Sequence, residues 1–123
     1  MFANIKNEAV ALLGPGAKTD TAAATGSWVL VSNYEGSFIV TQNAGTVTAG
    51  SLAGKLRTAT DDSGSGAADI TGATFVTVTT SNDPKCEAIN VQCNACGPYI
   101  QYVGTVGTGP VDLSVSLIGC PKY

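Results

Sequence analysis

Between Val111 and Leu117 the chain alternates apolar and polar residues without a break. Val111, Leu113, Val115 and Leu117 fall on one side, and Asp112, Ser114 and Ser116 on the other. A period of two describes a strand with one face against a core and one face outside. The signal recurs. Trp28-Val29-Leu30-Val31 runs into a turn at Ser32-Asn33, and Ser37 to Gln42 runs into another at Asn43-Ala44-Gly45. Ala73 to Thr80 alternates β-branched with polar residues and stops at Asn82-Asp83-Pro84. Glu87 to Cys93 carries Ile89 and Val91 on one face, and Tyr99 to Gly104 carries Ile100 and Tyr102. Thr46 to Ala49 and Leu52 to Thr60 are weaker strands, and Asp61-Asp62-Ser63-Gly64-Ser65-Gly66 is a breaker. No helix of ordinary length is visible. About seven or eight short strands, with turns every 8 to 12 residues or so, predict an all-β chain: a single antiparallel β-sandwich or jelly-roll domain.

The first 26 residues read differently. Gly14-Pro15-Gly16 stops any helix, and Thr19 to Gly26 is small and polar. The expectation is an extended N-terminal arm over residues 1–26, followed by a β-sandwich domain over residues 27–123.

Composition narrows the partners. The apolar share of 44% supports a packed core, whereas charged residues make up only 12%, about half the usual 25% or so. A surface rich in Thr, Ser, Ala and Gly loses little when it is covered, because burying a hydroxyl or a methyl costs less than burying a carboxylate. The net charge is −3, and the basic residues Lys6, Lys18, Lys55, Arg57, Lys85 and Lys122 form no stripe. A nucleic-acid partner is therefore not expected. No apolar run approaches the ~20 residues of a membrane span, and Ala9 to Leu13 is too short for the core of an export signal. Synthesis in a host cytoplasm is the expectation.

Chemistry is sparse. Histidine is absent, which removes the usual general base and the commonest metal ligand, so neither an enzyme nor a cofactor is expected. Asp61, Asp62 and Asp69 supply oxygen ligands of the kind calcium takes, but they do not match an EF-hand loop and read first as a solvated loop. The cysteines Cys86, Cys93, Cys96 and Cys120 contain one Cys-x-x-Cys pair, whereas a four-thiolate zinc site usually uses two. If residues 87–93, 99–104 and 110–119 form an antiparallel meander, Cys93, Cys96 and Cys120 share one end of it and Cys86 lies ~20 Å away. That arrangement favours a disulfide from Cys120 to Cys93 or Cys96 and disfavours zinc, with reduced buried thiols as the other reading. Trp28, Phe38, Phe75 and Tyr102 are spaced as core strand residues rather than as a sugar-stacking platform.

One set of segments resembles a known family. Gly26-Ser27-Trp28-Val29, Tyr34-Glu35-Gly36, Val40-Thr41-Gln42-Asn43, Leu52-Ala53-Gly54-Lys55 and Ala67-Ala68-Asp69-Ile70 form one part of the likeness. Ile100-Gln101-Tyr102-Val103-Gly104 and Val115-Ser116-Leu117-Ile118-Gly119 form the other. Together, from about Ser27 to Tyr123, they are similar to the small head proteins of tailed bacteriophages that decorate or cement the capsid shell. The resemblance implies a β-sandwich or jelly roll that oligomerises as a homodimer or homotrimer on the outer surface of the virion, with the major capsid protein as its partner. The four cysteines are not part of that resemblance. On this reading the arm residues Phe2, Ile5, Val10, Leu12 and Leu13 are the candidate grip on the shell, since an extended segment can pair with a partner's strand edge. A receptor- or carbohydrate-binding module of a tail or fibre is the alternative, and a secreted adhesive subunit a third.

Overall fold

A computed structural model describes residues 8–122. It holds nine strands: β1 (Glu8–Lys18), β2 (Val29–Leu30), β3 (Tyr34–Val47), β4 (Ser51–Ala59), β5 (Ala68–Thr74), β6 (Val78–Thr79), β7 (Lys85–Gln92), β8 (Tyr99–Val106) and β9 (Val111–Pro121). They form two antiparallel sheets, one in the order β1-β9-β3-β7 and the other β2-β8-β4-β5, with β6 also paired to β4. The all-β sandwich expected from the alternation is what the chain forms.

The inner faces of both sheets make one core. Val111, Leu113, Val115 and Leu117 are buried, as their spacing requires, in one core with Phe38 and Val40 of the neighbouring β3 and Leu52, Leu56, Ile100 and Tyr102 of the other sheet. Tyr34 and Phe38 pack with ring centroids 6.3 Å apart, and Phe75 and Tyr102 at 6.0 Å. Gly119 makes room for the first pair, because a Cβ there would come within 2.6 Å of the Tyr34 ring.

Four expectations are corrected. First, residues 8–26 are not a free arm. β1 pairs with β9 from Glu8–Gly119 to Lys18–Val111, with an irregularity between Ala11 and Leu13. A bulge of one extra residue lets two consecutive side chains turn inward, so Leu12 and Leu13 both lie in the core, at 2% and 9% exposure. The following segment folds over β8: Ala24 is fully buried, Thr25 bridges to Val103, and the Gly26 N–H donates to the Tyr102 carbonyl. Burial of Leu12 and Leu13 removes them from any partner grip, and Val10 is half-buried opposite Leu117. Phe2 and Ile5 lie outside the described residues.

Second, Asn43-Ala44-Gly45 is no turn. β3 runs straight through it, paired on one side with β7 (Asn43–Cys86, Ala44–Lys85) and on the other with β9 (Asn43–Ser114, Ala44–Leu113). Hydrogen bonding on both edges and complete burial of Ala44 override the local turn preference. Third, the meander does not form. β7 and β9 both flank β3 in one sheet, while β8 lies in the other. Fourth, Ala73 to Thr80 is broken: β5 ends at Thr74, and the chain reaches β6 only after Phe75 has turned its ring into the core.

Candidate interaction surface

The strand registers fix what each sheet shows to solvent. On the β1-β9-β3-β7 sheet, Ile39 stands opposite Ile118 and Asn90, Thr41 opposite Ser116 and Ala88, and Asn43 opposite Ser114 and Cys86. Ser37 stands opposite Gln92 at one end, where the neighbouring Phe38 pairs with Gly119 just before Cys120, and β1 adds Ala9 beside Ile118 and Ala11 beside Ser116. These outward positions, two on β1 and four on each of β9, β3 and β7, are all exposed or half-buried. None of the fourteen is charged. Asp112 is the first charge met along β9, beyond Ser114 at the far end.

The other sheet has the opposite character. Its outward residues include Lys55 and Arg57 on β4, which reach Asp69 on β5 at 3.1 and 3.4 Å. Exposed pairs of this kind contribute little stability, about 0–1 kcal/mol, so their consequence is a hydrated, ionic face. The segment before β2 covers part of β8, tied down by the Gln101 side-chain amide donating to the Gly26 carbonyl at 2.9 Å. The two faces of the sandwich thus differ in kind. One is ionic and partly covered, whereas the other is neutral at these fourteen positions and uncovered by any described residue.

Near its centre the neutral face also carries exposed apolar bulk. Ile39 and Ile118 are each 44% exposed and directly paired across β3 and β9. Around them the side chains are short: Ala9, Ala11, Ala88, Ser37, Ser114, Ser116 and Thr41. Alternation in Val111 to Leu117 predicts the outward serines. The joint effect of fourteen uncharged outward positions on four strands depends on strand order, which is why it is invisible in the linear chain.

The sheet's edges are treated differently from its face. β1 carries Pro15, and its pairing with β9 skips from Leu13 to Gly16. β7 places Lys85 and Glu87 on its inward-leaning side, where Glu87 accepts a hydrogen bond from the Val76 N–H at 2.9 Å. Proline, irregular pairing and inward-leaning charge all discourage a second chain from extending a sheet.

The remaining candidate sites resolve as follows. All four cysteines are free thiols. Cys93 and Cys96 tuck against the core beneath Tyr34. The Cys93 thiol donates to the Tyr34 carbonyl at 3.6 Å, and that of Cys96 to the Cys93 carbonyl at 3.8 Å. Burial pushes both thiols up, outweighing the pull of Lys122 on Cys93, and the Cys93 sulfur raises Cys96 further. Cys120 shares their end of the molecule but belongs to the outward set of β9, alternating with buried Gly119. The expected link from Cys120 to Cys93 or Cys96 is not formed: Cys93 and Cys96 lie in and just after a short 3-10 turn that follows β7, packed against the core, whereas Cys120 is on β9. Asp61 accepts from the Ser63 and Ser65 N–H groups; the Ser65 hydroxyl first, and then the Ser65 and Ser63 N–H groups, hold its carboxyl below the usual range, and Asp69 is committed to Lys55 and Arg57. Among the described residues no three His, Cys, Asp or Glu side chains converge to hold a metal ion, and no helix is long and apolar enough to cross a membrane. Of the aromatic residues, Phe38, Phe75 and Tyr102 are buried as expected. Trp28 is only half-buried, seated beside Gly64 in the Asp61–Gly66 loop. No known family model matches the chain, and no curated relative does.

Proposed function

We propose that this chain is a structural, non-enzymatic protein that coats the outer surface of a tailed-phage capsid and cements neighbouring capsid subunits against the pressure of packed DNA. The resemblance of residues 27–123 to capsid decoration proteins supplies the setting, and the neutral face supplies the means. A sheet face with fourteen uncharged outward positions on four strands, built round Ile39 and Ile118, is suited to being covered by another protein surface. That face is the observation that carries the proposal.

The mechanism is mechanical. A subunit that touches several neighbours at once adds contacts that must break together, and tethering makes their combined grip far stronger than each patch alone. With Leu12 and Leu13 committed to the core, Phe2 and Ile5 at the start of the chain remain the candidate grip on the major capsid protein. A carbohydrate-binding role is less favoured, because no aromatic side chain among the described residues is fully exposed to stack on a sugar. The test compares particles with and without the protein. Loss of DNA at a lower temperature or a milder osmotic shock when it is missing is the expected result, and unchanged particle stability refutes cementing.

A further inference from the structure

We infer that the outer face of the β1-β9-β3-β7 sheet is a self-docking surface, on which a second copy of this chain packs face to face about a two-fold axis. This rests on the reading of the chain as an assembling structural protein and names the partner of its neutral face.

Charge selects the occupant. In a two-fold contact a patch meets its own image, so any charge in the patch brings a like charge close to itself. The chain as a whole is net negative, at −3, and two copies repel over most of their surface. The fourteen uncharged outward positions, bounded on β9 by Ser114 and Cys120, are where that repulsion is weakest, with the exposed Asp112 left at the rim of the contact. Edge treatment selects the geometry. Pro15 and the skipped pairing blunt β1, Lys85 and Glu87 blunt β7, and sheet extension is discouraged at both ends while no described residue covers the face between them.

Size and shape are adequate. From Ser114 to Cys120 the face runs for ~20 Å, and four strands span nearly ~20 Å across. Allowing for side-chain relief, a pair of copies buries on the order of 1,000 Å² in total, the low end for a specific contact. Short Ala, Ser and Thr side chains let two sheets approach to the ~10 Å of an ordinary sandwich. With the two-fold axis along the strands between β9 and β3, Ile118 meets the second copy's Ile39, and the reverse, so both exposed isoleucines are buried.

Sedimentation equilibrium on the full chain tests this. The expected mass at tens of micromolar is twice 12.3 kDa, unchanged between low and high salt because no ion pair crosses the contact. Ile39→Lys and, separately, Ser116→Lys, both at exposed positions, should return the mass to 12.3 kDa with circular dichroism unchanged. Thr105→Lys, on the exposed side of the other sheet, should leave the pair intact. A monomer at every concentration, a threefold mass, or a dimer that survives both face variants overturns the inference. Binding to phage particles separates this from the proposed function. A monomer that still stabilises particles overturns self-docking alone and assigns the face to the shell. A face-to-face dimer with no affinity for particles supports self-docking and overturns cementing.

Discussion

Gln42 and Tyr102 form a hydrogen bond across the middle of the sandwich, the phenol donating to the amide oxygen at 2.5 Å, with both side chains completely buried. They come from opposite sheets, so the bond fixes how β3 sits over β8. Gly54 on β4 leaves the space they occupy, since a Cβ at that position would overlap both polar ends. The amide nitrogen of Gln42 has no partner among the described residues.

Removing one partner should therefore cost more than removing both. Tyr102→Phe leaves the Gln42 side chain wholly unpaired in the core and should destabilise by about 1–3 kcal/mol. Combining it with Gln42→Met should recover part of that loss, because two apolar groups of similar shape leave nothing unsatisfied. Gly54→Ala should cost about 1–3 kcal/mol by overpacking. Urea unfolding of the four proteins checks the order.

β1 is part of the folded unit, so truncation should behave in two stages. Deleting residues 1–7 should leave a cooperative unfolding transition. Deleting residues 1–18 removes Leu12 and Leu13 from the core and strips one edge of β9, and should abolish that transition. Leu12→Ala alone should cost about 2–5 kcal/mol. Thermal melts followed by circular dichroism distinguish the two truncations.

Alkaline pH should loosen the corner where β1 meets β3. Tyr34 donates to Glu8 at 2.9 Å, and burial first, then the bond to Glu8 and its charge, push the phenol from 10.0 up to about 12. The folded state holds this proton more tightly than the unfolded state does. The corresponding stability is complete below pH ~10 and is lost as pH rises toward 12. Glu8→Gln keeps an acceptor but removes the charge, so the Tyr34 midpoint in an ultraviolet titration should move down. A midpoint that stays put contradicts the assignment.

Much of this architecture is written in local pattern. Val111 to Leu117 announces its buried side, and the breaker at Asp61–Gly66 and the turn at Ser32-Asn33 stand where their residues suggest. Where local pattern misleads, tertiary pairing explains it. Asn43-Ala44-Gly45 has turn chemistry but lies between two strands that hold it extended. Gly14-Pro15-Gly16 looks like the end of an arm, yet an edge strand tolerates it because only one side is hydrogen-bonded. Trp28 is spaced as core but ends half-buried beside Gly64. The neutral face was legible only as a low overall charge, since its fourteen positions come from four segments whose adjacency depends on β9 inserting between β1 and β3.

The cysteines report on that face without any mutation. Cys86 and Cys120 mark it near opposite corners, while Cys93 and Cys96 sit at the core with thiols pushed up by burial. In dilute protein Cys86 should react fastest with a soluble disulfide reagent, Cys120 next, and Cys93 and Cys96 slowest, because the thiolate is the reactive form.

The most direct test of the neutral face as a covered surface is the labelling rate of each thiol in dilute and in assembled protein, read by peptide mass spectrometry. Cys86 and Cys120 should slow together on assembly while Cys93 and Cys96 keep their rates. Equal rates for Cys86 and Cys120 in the two states would mean that this face stays open, and would contradict its role as a covered surface.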